Sequence, residues 1–385
     1  MELVKLGIIG QGNMGSSHSK SIIEGKVPGM VLAAVADRSE ERRGWAKENL
    51  PDTVSIFEEG TDLIEKGGCD AVLIAVPHYQ HPDLAISGFR NGLHVMCEKP
   101  AGVYTKQVRV MNEEAKKHDL VFAMMFNQRT NCVYRKMHEM VKTGELGSIR
   151  RVNWMITDWY RSQAYYDSGA WRATWDGEGG GVLLNQCPHN LDLLQWICGL
   201  PVNVRAFCHE GKWHDIEVED DVTAYLEFEN GATGVFITTT GDLPGTNRFE
   251  ITGDKGKLVC ENDKLLFHSL SVDNPTFTRE SKNGFATPEI TVSEVETDGE
   301  NLQHVGVLRA FCDRIVKGTP LVAEGEEGIN GLLLSNAMHL STWLKKEVSI
   351  PFDEDLYLAE LNKRRASSQK KDAVNGVVFD TEGSY

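Results

Sequence analysis

The sequence predicts an α/β protein in two parts: a doubly wound parallel sheet, then an α+β domain built on a large, mostly antiparallel open sheet. Three observations predict it. The turn Gly10-Gln11-Gly12-Asn13-Met14-Gly15 stands between an apolar run and a helical pattern. Apolar runs then alternate with amphipathic segments through the first third of the chain. Beyond residue 150 the pattern changes to period-two segments in succession. At 385 residues the chain exceeds the usual single-domain size. The expected division is 1–127 and 128–365, with a loosely held tail over 366–385.

Strand-like runs fall at 6–9, 31–36, 71–76, 93–97 and 121–125, with amphipathic segments at 14–23, 40–48, 81–91 and 106–118 between them. Such alternation implies parallel strands joined by right-handed crossovers. A helix is predicted near 131–141, before the turn Gly144-Glu145-Leu146-Gly147. A strand over 150–158 leads into an aromatic loop from Trp159 to Trp175, and Gly179-Gly180-Gly181 precedes a helix over 185–198. Period-two segments follow at 202–208, 223–228, 233–239, 248–251 and 257–261, with turn residues between them. Helical patterns return at 301–316 and 328–346. A sheet with one face on helices leaves its other face to be covered, and a second subunit is one simple cover.

Composition excludes several classes. A 41% hydrophobic and 25% charged chain is that of an ordinary globular protein. The net charge of −16, with no long Lys/Arg block, argues against nucleic acid or an anionic membrane as partner. The cluster Lys363-Arg364-Arg365, with Lys370-Lys371, reads as a solvated helix end or tail. Met1 runs almost directly into the first strand, with neither a leader pattern nor a membrane-length apolar stretch, so a cytoplasmic protein is expected. The eight cysteines are scattered without a CxxC pair, which suggests reduced thiols and no metal site.

The glycine turn meets the requirements of a dinucleotide site. Gly10 would permit the sharp turn, Gly12 the approach of a pyrophosphate, and Gly15 close packing of helix on sheet. The helix opening at Asn13 and Met14 would offer free N–H groups and the positive end of its dipole. Asp37 ends the second apolar run, where an acidic residue accepts from a ribose diol and favours NAD; Arg38 beside it leaves NADP open.

Ligands in open α/β sheets sit beyond the carboxyl ends of strands. Val76-Pro77, His81 and Glu98-Lys99-Pro100 stand at such ends and should border the cofactor. A lysine in a cleft can have its pKa lowered and can donate to a substrate hydroxyl; a surface Glu-Lys pair is the plain alternative. If a helix begins with Asn185 as its cap, Pro188 falls in the first turn, Asn185 and His189 share a face, and Asp192 lies one turn on. A histidine there could take a proton from an alcohol, or be a bonded core residue. The aromatic loop, with Tyr160, Arg161 and Trp171, suits a sugar, inositol or glycoside; Gln128 is a further contact or a helix start.

The chain resembles the glucose-fructose oxidoreductase / inositol dehydrogenase / rhizopine-catabolism (Gfo/Idh/MocA) family. The likeness runs from Gly10-Gln11-Gly12 through Val76-Pro77, Glu98-Lys99-Pro100 and Gly179-Gly180-Gly181 to His189-Asn190-Leu191-Asp192. It implies an N-terminal Rossmann domain, a C-terminal α/β domain with an open sheet, NAD or NADP, and homo-oligomers through that sheet. It also implies that Lys99 and His189 act at the substrate hydroxyl. Dehydrogenases of the family often carry aspartate four residues before that histidine, whereas this chain has Asn185. The expected activity is hydride transfer between nicotinamide and a secondary hydroxyl of a sugar, inositol or glycoside. The expected roles are His189 as base, Lys99 favouring the developing alkoxide and Asn185 holding the substrate; Lys99 as base is the competing assignment. Two other functions stay open: a redox-neutral glycoside-processing enzyme with retained NAD, and a non-catalytic nucleotide sensor.

Overall fold

The computed structural model describes residues 3–369. The first sheet is laid down by β1 (Val4–Ile9), α1 (Asn13–Ile23), β2 (Met30–Ala36), α2 (Glu40–Asn49), β3 (Ser55–Phe57) and α3 (Gly60–Lys66). It continues with β4 (Ala71–Ile74), α4 (His81–Arg90), β5 (His94–Cys97), α5 (Thr105–Ala115) and β6 (Phe122–Met124). Six parallel strands lie in the order β3-β2-β1-β4-β5-β6. The strand order reverses between β1 and β4, so a crevice opens beyond their carboxyl ends. β4 is buried along its whole length, as a strand covered by helices on both faces must be.

The second part contains α6 (Cys132–Lys142), β7 (Ile149–Ile156), α7 (Gln163–Asp167), α8 (Pro188–Cys198), β8 (Asn203–Glu210), β9 (Glu219–Glu227) and β10 (Thr233–Thr239). There follow β11 (Asn247–Gly253), β12 (Gly256–Glu261), β13 (Lys264–Leu270), α9 (Asn274–Glu280), β14 (Ile290–Glu294) and α10 (Gln303–Lys317). Last come α11 (Gly328–Leu344), β15 (Val348–Ser349) and α12 (Glu354–Ser367). Nine strands run β14-β13-β12-β11-β7-β10-β9-β8-β15, antiparallel except for the β7–β10 pair. Alternation decides the faces: Val152, Trp154 and Ile156 of β7 point inward, while Arg151 and Met155 point out. Trp154 stacks on Phe249 at 4.1 Å inside the core.

Three expectations need correction. First, α8 begins at Pro188, not at Asn185. The Asn185 amide already donates to the Gly181 carbonyl in a preceding turn, and Cys187 is the cap residue. Asn185 and His189 therefore do not share a helix face. Second, α10 lies beyond 128 in sequence but packs Val307, Leu308 and Phe311 into the core formed by Val4, Leu6 and Ile8 of the first sheet. Third, residues 366–369 are held: α12 runs to Ser367, and Ser368 donates to Glu217 at 2.6 Å. Of the basic cluster, Arg364 lies over Trp343 and Arg365 pairs with Asp176; Lys370 and Lys371, with the rest of the tail, lie outside the described residues.

Candidate active site

The glycine turn follows β1 directly. Gly10 has φ +94°, and a Cβ there would lie 2.2 Å from the Ala75 carbonyl oxygen. At Gly15 a Cβ would lie 1.8 Å from the Gly10 carbonyl oxygen, so α1 can pack on the turn only with glycine. Gly12, which caps α1, is different: nothing lies within 4 Å of a Cβ built there. The first and third glycines meet protein, while the second faces open space at a helix N-terminus. Asp37 is drawn to the same mouth, accepting from the Gln11 amide at 2.6 Å and the Ser39 amide at 2.8 Å. Arg38 turns outward to Glu59 at 2.9 Å.

Val76 and Pro77 leave β4 partly exposed at the crevice. His81 does not present itself to a ligand. It is buried, with Nδ1 2.7 Å from the Pro100 carbonyl and Nε2 2.7 Å from the Val76 carbonyl, so it brackets two strand-end segments. Glu98 is likewise buried and lies 2.7 Å from His18. Burial raises its pKa, but the His18 hydrogen bond and the charges of His18, His304 and Lys99 outweigh that and hold it at about 2. Glu98 thus supplies a fixed negative charge beneath Lys99.

Lys99 lies densely surrounded in the crevice, its Nζ donating to the Asn185 carbonyl at 3.2 Å. Desolvation lowers its pKa from 10.5, against the pull of Glu98 and with the help of Arg172 and Arg161. His189, in the first turn of α8, is 4% exposed and meets the Phe126 ring edge-on. Neither of its ring nitrogens has a hydrogen-bond partner among the described residues. Burial first, and the Lys99 charge second, hold it well below its ordinary pKa, so it is a neutral imidazole at pH 7. Unpaired buried polar atoms are costly, and two on one ring between a lysine and an aromatic edge mark a place for a ligand.

Asn185 is held from behind by Glu178, whose carboxylate accepts from the Asn185 side-chain amide and, at 2.6 Å, from the Ala173 amide. Burial pushes the Glu178 carboxyl up against the pull of Arg172. The triple-glycine segment is anchored by a second buried carboxylate, Glu219, which accepts from the Gly181 amide at 2.9 Å and the Leu183 amide at 3.0 Å. Asp192 faces away from this centre and is bidentate to Arg129, at 2.7 and 2.8 Å.

The aromatic loop joins the same wall. Trp159 donates to Asn190, and Gln186 donates to the Tyr165 hydroxyl. Trp171 meets His78 edge-on at 5.8 Å. Tyr160 is 42% exposed, and its carbonyl accepts from Arg161. Gln128 donates to Gln303 at the start of α10. Sequence reasoning missed His78, Glu178, His18 and His304. His18 and His304 lie 80 or more residues from their partners in this cluster, so no local spacing announces them.

A family model described as the oxidoreductase family, NAD-binding Rossmann fold, matches residues 4–126, and one for the GFO/IDH/MocA C-terminal domain matches residues 134–259. The chain belongs to the Gfo/Idh/MocA family. The first domain is accordingly an NAD-binding Rossmann fold, and the residues present fit that cofactor: the open space at Gly12 and the carboxylate of Asp37 lie at one mouth. A myo-inositol 2-dehydrogenase of Thermotoga maritima is 26% identical over 353 residues, 90% of this chain and 98% of the relative. A WlbA dehydrogenase of Chromobacterium violaceum, solved with NADH and UDP-GlcNAcA, superposes with a TM-score of 0.79 at 24% identity, covering 92% of this chain and 97% of that one. A levoglucosan dehydrogenase solved with NADH and L-sorbose gives 0.75 at 21% identity over 92% of this chain and 100% of that chain. Among the described residues, no group of three His, Cys, Asp or Glu side chains could hold a metal, and no helix is long and apolar enough to cross a membrane.

Proposed function

We propose that this Gfo/Idh/MocA oxidoreductase is an NAD-dependent dehydrogenase acting on a secondary hydroxyl of a sugar, inositol or glycoside. The observation that carries this reading is the neutral, buried, unpartnered imidazole of His189 beside the ammonium of Lys99. The relatives that act on inositols and anhydrosugars support the substrate class.

The roles follow from the groups. Gly10, Gly12, Asn13, Met14 and Gly15 hold the pyrophosphate, and Asp37 takes the ribose diol. Bound NAD supplies the acceptor for the hydrogen leaving carbon. A ring nitrogen of His189 accepts the hydroxyl proton. Lys99 donates to the same oxygen and stabilises the negative charge that develops on it. Asn185, its amide committed to Glu178, offers its carbonyl oxygen to a neighbouring hydroxyl. The depressed pKa of Lys99 favours a second assignment, in which the neutral amine takes the proton. Gln128, Tyr160 and Trp171 belong to the wall of the pocket.

The test is absorbance of reduced nicotinamide with a panel of inositols, aldoses and glycosides. Accumulation of NADH with a polyol is the expected result; turnover without accumulation would favour the redox-neutral route. His189→Ala and Lys99→Met should each lower kcat by about 10²- to 10⁴-fold. An NADH titration checks that each variant folds. Full turnover in either variant removes that residue's role. The exposed Met155, Phe207 and Tyr225 support a homo-oligomer through the second sheet in a cytoplasmic enzyme; a monomer by light scattering would refute that assembly.

A further inference from the structure

Two arginines stand in this wall with no ion-pair partner among the described residues. The Arg161 guanidinium lies over the Tyr165 ring at 5.3 Å and over Trp159 at 5.6 Å. The Arg172 guanidinium lies over the same Tyr165 ring at 4.6 Å and over Trp171 at 4.7 Å, and donates to the Tyr165 hydroxyl at 2.9 Å. Both are half-buried, and their recorded hydrogen bonds go to neutral oxygens: Tyr160 carbonyl for Arg161, Tyr165 hydroxyl for Arg172. The described carboxylates form no ion pair with either, although the chain carries a net charge of −16. Glu178 acts electrostatically on Arg172, and Asp158 on Arg161, but neither reaches its arginine as an ion pair, and Glu178 is committed to Ala173 and Asn185.

These two cations are tied to the reacting centre. Tyr165 is bonded to Gln186, the residue after Asn185, whose carbonyl holds Lys99. Trp159 is bonded to Asn190, the residue after His189. Three positive groups gathered at one crevice repel each other, and stacking on aromatic faces holds the two guanidinium planes with N–H edges left over. A neutral sugar needs hydroxyl acceptors and donors, not two unpaired charges. An anion relieves the repulsion and takes the forked hydrogen bonds that a guanidinium is built to give.

We propose that Arg161 and Arg172, both stacked on Tyr165, form a receptor for an anionic substituent, a carboxylate or a phosphate, carried by the polyol that is oxidised at Lys99 and His189. The inference rests on the dehydrogenase reading for the reaction but not for the binding.

The test is equilibrium binding to the full chain, with and without NADH, using matched pairs: glucuronate against glucose, glucose 6-phosphate against glucose, and an inositol phosphate against inositol. An anionic member should bind at least about tenfold more tightly than its neutral partner, with the advantage falling as salt is raised. Arg172→Met and Arg161→Met should each shrink that difference, and the double variant should erase it, while Arg172→Lys keeps only part. Thermal melting and NADH affinity report whether the variants fold. A preference confined to the acid or to the phosphate identifies the source of the charge. Equal binding within every pair, or an advantage that survives both substitutions, overturns the proposal. If anions bind selectively yet no member of the panel reduces NAD, the dehydrogenase reading fails and the receptor stands.

Discussion

Asn185→Asp places here the residue that the family resemblance leads one to expect, and this structure says that the chain will resist it. The Asn185 amide is in hydrogen-bond contact with the buried Glu178 carboxylate. Two carboxylates in such contact, about 3 Å apart, repel by roughly 5 kcal/mol at an effective dielectric constant of about 20. The pair avoids this by keeping one proton, which raises one folded-state pKa by roughly 3–4 units above an unfolded value of about 4. Burial already pushes Glu178 in that direction. The folded variant then binds more protons than the unfolded chain between about pH 4 and about pH 8, so stability falls as pH rises through that window. A loss of several kcal/mol at pH 8 is expected, roughly five degrees in melting temperature for a chain of 385 residues, with little loss near pH 4. Circular dichroism melts at both pH values measure it. The double variant Glu178→Gln with Asn185→Asp exchanges the two groups and should recover most of the loss. A single variant that melts alike at both pH values, or a double variant with no recovery, refutes the contact as the cause.

Two further outcomes follow from the same geometry. Because burial and Lys99 hold His189 well below 6.5, kcat/KM should stay flat as pH falls through 6.5 and decline only in more acid solution. The alkaline limb should lie below 10.5, where desolvation has moved Lys99, and should vanish in Lys99→Met; a profile set near 6.5 would contradict the burial of His189. Gly12→Ala should leave the melting temperature within a degree or two but weaken NADH binding tenfold or more, since its Cβ meets no protein atom. Gly15→Ala should instead destabilise the fold, its Cβ falling 1.8 Å from the Gly10 oxygen; equal effects on melting would undo the distinction between the two glycines.

The parallel sheet was legible because its strands are continuous apolar runs with glycine and acidic residues at set offsets. Strand β3, three residues long, carried too little pattern to be seen, and β14 is exposed at every position, so burial left no alternation there. Asn185 before Pro188 matched the signal of a helix cap, but a cap is made by the amides its carbonyl and side chain accept: the first intrahelical bond runs from the Leu191 amide to the Cys187 carbonyl, and the Asn185 side chain is taken by Glu178. Lys99 and His189 were candidates on their neighbours in sequence, and the structure brings them to one crevice. Their state could not be read there: burial above all, with Lys99 and His304 acting on His189 and with Arg172 and Arg161 acting on Lys99, lowers both pKa values against the pull of Glu98.

The departure at Asn185 shows the same division. Position 185 carries an amide where the family resemblance leads one to expect an aspartate, yet the carboxylate of Glu178 stands directly behind that amide. Glu178 lies seven residues upstream, within a loop whose course is set by Glu219 gripping Gly181 from across 38 residues. A carboxylate can thus stand one hydrogen bond away from a position where the local motif lacks one. The site's electrostatics therefore follow from the tertiary arrangement of its carboxylates, and a motif that lacks one of them is not by itself a sign of lost chemistry.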